Sequence, residues 1–105
     1  MSLSEQIDYN KIERTAKRLN LMTHPMRVNI ITLLLDSKGM SVTEIFEKLH
    51  IMQAEASHHL TLLKDFGVIK KVRDGKKSIY FIDAEEFYAT LTLIDGIVGN
   101  EYRYF

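Results

Sequence analysis

A mainly α-helical domain with one β-hairpin near its end is what the sequence predicts, on three observations. Apolar residues recur at helical spacing in five segments, an Asp-Gly turn lies between two β-rich runs, and no repeat or Pro/Gly/Ser-rich linker divides the 105 residues. A single domain over residues 1–105 is therefore expected, since this length holds about one core and 46% hydrophobic residues can fill it. A domain this small also gains from burial against a second copy.

The first helix is expected from about Ser4 to Leu21, with Ile7, Ile12, Ala16 and Leu19 at spacings near four and Lys11, Arg14, Lys17 and Arg18 on its other faces. The second opens at Thr23-His24-Pro25, because proline in a first turn has a preset φ and lacks an amide that would be orphaned anyway. Val28, Ile31, Leu34 and Leu35 are its expected buried stripe, and Asp36-Ser37-Lys38-Gly39 ends it. Ser41-Val42-Thr43-Glu44 is a capping box that starts a short third helix over Val42 to Leu49.

The fourth helix is expected over Gln53 to Phe66, with Gly67 as a left-handed stop. At about 100° per residue, Ala56, Leu60 and Leu63 share one side, while Ala54, Ser57, His58, Thr61, Lys64 and Asp65 share the other. That second face is small, mostly uncharged and rich in hydrogen-bonding groups. Val68 to Arg73 and Lys76 to Ile82, joined at Asp74-Gly75, read as the hairpin. The last helix starts at Asp83, with Glu86 three residues on as a capping-box variant. It presents Phe87, Tyr88, Leu91, Ile94, Val98 and Tyr102, a band wider than a small core covers, so part of it, with Ile7 and Ile12 of the first helix, is assigned to a partner copy.

Fourteen basic and fourteen acidic residues balance, which argues against nucleic-acid binding by bulk charge and leaves only local asymmetry to support it. Between Lys64 and Tyr80 six basic residues face only Asp65 and Asp74, whereas from Asp83 to Phe105 five acidic residues face Arg103 alone. The absence of cysteine excludes disulfides, thiolate metal sites and a thiol nucleophile. No phosphate-cradling glycine loop or paired-carboxylate signature is present, so no enzyme, catalytic residue or cofactor is expected. Without an apolar run near ~20 residues, a membrane partner is not expected and a cytoplasmic location is.

Two short helices followed by a basic hairpin describe a winged helix-turn-helix, whose second helix enters the major groove while the hairpin touches nearby backbone. On that reading Gln53, Ser57, His58 and Thr61, with Ala54 on the same face, approach base edges, and Lys64, Arg73, Lys76 and Lys77 neutralise phosphates. His24 reads as a cap or packing residue beside Pro25, and His59 as a hydrogen-bonded core histidine. Winged helices also serve as protein-interaction modules that leave DNA alone, and this is the alternative.

Residues from about Ala16 to Ile82 resemble the ArsR/SmtB-type winged-helix repressors. Leu21-Met22-Thr23-His24-Pro25-Met26-Arg27 is similar to that family's opening of the second helix. Ser57-His58-His59-Leu60 with Leu63 and Phe66-Gly67-Val68-Ile69 resembles its recognition helix and exit, and Arg73-Asp74-Gly75-Lys76 with Tyr80 its wing. The resemblance implies a homodimeric repressor of the bacterial or archaeal cytoplasm that binds a near-palindromic operator on double-stranded DNA and leaves it when an inducer binds. Two departures bear on the inducer. The family's usual thiol sensor falls on Val42 to Leu49, which has no Cys, and its alternative uses His with carboxylates on the last helix, whereas His24, His50, His58 and His59 all precede that helix. Carboxylates alone make a poor soft-metal site, so no metal site is expected and release is assigned to a signal other than thiol or metal chemistry. Met52 also stands where the family commonly has a serine cap.

Overall fold

The computed structural model describes Glu5 and residues 8–98, with side chains through residue 92. Five helices and three strands follow in order: α1 (Tyr9–Met22), α2 (Pro25–Leu35), β1 (Met40–Ser41), α3 (Val42–Leu49), α4 (Gln53–Asp65), β2 (Ile69–Asp74), β3 (Lys77–Ile82) and α5 (Ala84–Val98). The strands form one antiparallel sheet in the order β1-β3-β2. This is a winged helix-turn-helix, with α3 and α4 as the paired helices and β2–β3 as the wing.

Asp8 has extended backbone and its carboxylate accepts from the Lys11 amide at 3.0 Å, so α1 begins at Tyr9, while Ser4, the expected start, lies outside the described residues. His24 caps α2 as expected, its Nδ1 accepting from the Met26 amide at 3.1 Å. The buried arc of α2 is Ile30, Ile31 and Leu34, while Val28 and Leu35 are 43% and 47% exposed, which corrects the expected stripe. Residues 30–35 are apolar almost all round, so the neighbours of the helix, and not its periodicity, set its phase.

The two-residue strand β1 was not expected. Met40 pairs with Tyr80 and Ser41 with Ile79, which joins the end of the α2–α3 connection to the wing. Gly39 makes this possible: its φ is 138°, and a Cβ there would lie 2.7 Å from Cγ2 of Ile79. Ser41 then caps α3 with both halves of the expected capping box in place, its Oγ accepting from the Glu44 amide and its own amide donating to the Glu44 carboxylate.

His50, at φ 55°, ends α3 in the left-handed conformation, and α4 starts two residues after Ile51. Met52 at the cap of α4 makes no side-chain bond. The exit is a Schellman motif, in which the amides of Gly67 and Val68 donate to the carbonyls of Lys64 and Leu63 at 3.0 and 2.9 Å, with Gly67 at φ 79°. The helix proper stops at Asp65, one residue before the expected end.

The hairpin loop is Gly75-Lys76, one residue later than expected, because Asp74 still pairs with Lys77. Gly75 at φ 63° occupies the first of the two loop positions, which is where a type II′ turn requires glycine. Lys76 is thereby placed at the tip and Lys77 on β3.

One apolar cluster joins these elements, centred on Ile30, Leu34, Ile45, Leu60, Leu63 and Ile69. Phe87 of α5 is 8% exposed and belongs to this cluster, which corrects its assignment to a partner's surface. Tyr88, Leu91 and Ile12 are exposed at 63%, 40% and 48%. Ile7 and Tyr102, and the side chains of Ile94 and Val98, lie outside what the structure describes. Among the described residues no helix is long and apolar enough to cross a membrane.

Candidate nucleic-acid interface

The apolar side of α4 determines what its other side can do. Ala56, Leu60 and Leu63 are fully buried and His59 is nearly so, which turns Gln53, Ala54, His58, Thr61 and Lys64 outward and leaves Ser57 half-buried beside them. All the residues expected on the polar face thus share one surface, together with Asp65. Met52, 76% exposed at the start of the helix, extends that surface with an apolar group outside the expected set. Its position at a cap that a thioether cannot satisfy was the available signal.

Beneath this face lies a polar contact that fixes how α4 sits. Nε of Arg27 on α2 donates to Nδ1 of His59 at 3.2 Å, and Nη1 of Arg27 donates to the Leu21 carbonyl. The His59 ring lies 4.9 Å from that of His24 and 5.6 Å from that of His58. Burial, and then the Arg27 charge, hold the His59 pKa below its ordinary value, while Glu55 at 3.8 Å pulls the other way. The core role expected for His59 holds, and its partner Arg27 is a residue that nothing local in the sequence marks. Among the described residues no group of three His or carboxylate side chains is arranged to hold a metal ion.

The wing places its cations by strand alternation. Arg73 shares a face with Lys71, Ser78 and Tyr80, while Lys77 shares the opposite face with Val72 and Ile79, and Lys76 stands at the tip between them. The Lys71 ammonium lies 5.9 Å from the centre of the Tyr80 ring. Arg73, Lys76 and Lys77 are all exposed, and among the described residues no carboxylate pairs with them. A cleft of about 420 Å³ separates the wing from the start of α3, with Thr43, Glu44, Lys76 and Lys77 among its walls. The Glu44 carboxylate there is held below its usual pKa by the bond from the Ser41 amide and then by the Ser41 hydroxyl, so it stays charged near the wing lysines.

Residues 24–71 match the family model described as "Bacterial regulatory protein, arsR family". The chain is 30% identical over 95 residues to the transcriptional repressor PagR of Bacillus anthracis, covering 90% of this chain and 95% of PagR. It is 31% identical over 87 residues to the HTH-type transcriptional regulator MJ1325 of Methanocaldococcus jannaschii, covering 83% of this chain and 98% of that one. The crystal structure of PagR superposes with a TM-score of 0.71 over 83% of this chain and 99% of its own. A homodimeric winged helix-turn-helix DNA-binding domain from Mycobacterium bovis has the same fold, with a TM-score of 0.71 at 21% identity over 88% of this chain and 84% of its own.

Proposed function

The chain belongs to the ArsR family of bacterial regulatory proteins and is a DNA-binding transcriptional regulator, and from that premise we propose that it is a homodimeric repressor. One observation supports the reading most: the outward face of α4 carries Gln53, Ser57, His58 and Thr61 as short hydrogen-bonding groups, with Lys64 at its edge. Groups of this size reach base edges when a helix lies in the major groove.

The wing supplies the second half of the contact. Its cations stand on opposite faces around a tip lysine, which suits a hairpin that enters a groove edge-on between two rows of phosphates. Arg73, Lys76 and Lys77 then neutralise backbone and carry no sequence information, as such contacts generally do. Dimerisation through α1 and α5 is supported by Ile12, Leu19, Tyr88 and Leu91, all at least 40% exposed. A two-fold dimer spaces its recognition helices about one DNA turn, ~34 Å, apart on a near-palindromic operator. A repressor of this kind works in the compartment that holds the chromosome, performs no catalysis and is released by a signal other than thiol chemistry.

The experiment is selection of a duplex from a random-sequence pool, followed by salt titration of binding to the selected and a scrambled duplex. Tight, salt-dependent binding with clear preference for the selected sequence is expected. Equal weak binding to both would overturn the assignment of α4 as the reading helix and favour a protein-interaction role for the scaffold.

A further inference from the structure

Between α1 and α5 the protomer holds a second cleft, of about 280 Å³, lined by Lys11, Arg14, Thr15, Arg18, Glu86, Ala89 and Thr90. At about 100° per residue the four α1 residues share one arc, roughly 100° from Ile12 and Leu19. On α5, Glu86, Ala89 and Thr90 likewise lie on the side away from Tyr88 and Leu91, so the cleft is separate from the apolar faces assigned to the dimer.

Among the described residues three cations surround this space and one carboxylate answers them. Glu86 Oε2 accepts from Arg18 Nη1 at 2.9 Å, whereas Lys11 and Arg14 form no ion pair among the described residues. The cleft therefore carries an excess of two positive charges. Its volume is at the lower edge of the ~300–1,000 Å³ usual for small-molecule sites. Guanidinium forks match carboxylate and phosphate geometry better than they match a simple halide.

Arg18 also reaches out of the cleft. Its Nε donates to the Phe66 carbonyl at 2.6 Å, Nη1 lies 3.4 Å from Oγ1 of Thr90, and Nη2 would be 2.9 Å from a Cβ at residue 67. Phe66 is the C-cap of α4, so the side chain that borders the cleft also holds the exit of the recognition helix.

We propose that the cleft between α1 and α5 binds a small dianion bearing carboxylate or phosphate groups, and that its occupant weakens DNA binding by drawing Arg18 away from Glu86 and the Phe66 carbonyl. Its occupant is the release signal in a chain that has no thiol to sense one. The binding half stands without DNA, and the coupling half rests on the regulator reading above.

The test uses the full chain, with succinate and inorganic phosphate as separate probes and sodium chloride at matched ionic strength as control. Amide chemical shifts are expected to move saturably at residues 11–18 and 86–90, and also at Phe66 and Gly67, with the stronger probe identifying the headgroup class. Arg14→Gln is expected to abolish saturation while leaving DNA binding of the free protein within about twofold. Saturating probe is expected to lower affinity for the selected duplex at least about fivefold at constant ionic strength, in the wild type and not in Arg14→Gln. Shifts that stay linear and equal to those in chloride would overturn the site, and saturable binding with unchanged duplex affinity would overturn the coupling. Failure of the probe-free wild type to bind any duplex would count against the regulator reading alone.

Discussion

Nδ1 of His59 accepts a hydrogen bond from the Arg27 guanidinium, and burial of the ring, then the Arg27 charge, disfavour the imidazolium on the inner side of α4. Protonating that nitrogen would remove the acceptor and set two cations against each other in a site 5% exposed. The chain thus has a titratable contact beneath α4.

The folded pKa of His59 is lowered, so the unfolded chain takes up a proton first as pH falls. The stability it contributes is full above the usual value near 6.5 and is lost as pH drops from there toward the folded value. His59→Gln, which keeps an acceptor for Arg27, is expected to flatten the fall in urea midpoint between about pH 7.5 and 5.5. Parallel curves for the two proteins would show that His59 does not titrate in this way.

Lys76→Gln and Lys77→Gln together are expected to weaken binding to selected and scrambled duplexes alike. The slope of log affinity against log salt is expected to become shallower by about 0.9 for each phosphate no longer neutralised. An unchanged slope would place both lysines in solvent.

His58→Ala is expected to behave differently, losing about 1–3 kcal/mol on the selected duplex and much less on the scrambled one. Competition binding at one salt concentration measures the difference, and circular dichroism checks that α4 is intact. Equal losses on both sequences would make His58 a backbone contact.

Tyr88→Glu combined with Leu91→Glu places two charges on the exposed face of α5. Sedimentation is expected to show a dimer for the wild type and a monomer for the variant at micromolar concentration. A wild type that is already monomeric would remove the two-fold model of operator recognition.

Ser41→Ala removes the hydroxyl that accepts from the Glu44 amide. Loss of such a cap costs about 1 kcal/mol, read as a lower denaturant midpoint at unchanged m. No change in midpoint would mean that β1 pairing, and not the cap, starts α3.

Local patterns in the chain made part of this arrangement legible. Ser41 and Glu44 announced the start of α3, and the opposition of Leu60 and Leu63 to His58 and Thr61 announced which face of α4 looks outward, because both signals are contained within one or two turns. The phase of α2 was hidden because apolar residues surround its second half. Strand β1 was hidden for another reason: two residues carry no period, and the partner of Met40 is Tyr80, forty positions on. Contacts such as Arg18 with Phe66 and Arg27 with His59 join distant segments through single side chains. One cation among several on a helix gives no sign of which will turn inward.

Ser41 belongs at once to the sheet that carries the wing and to the first turn of the helix pair. That shared residue ties the wing to the helix pair, so in the proposed docking the span from hairpin tip to α4 would act as a gauge laid across the duplex. A duplex whose groove is too wide or too narrow for the gauge must itself deform, at an elastic cost that depends on its sequence. Base pairs beneath the wing are therefore expected to alter affinity through their stiffness and groove width, even where the proposed wing contacts reach only the backbone.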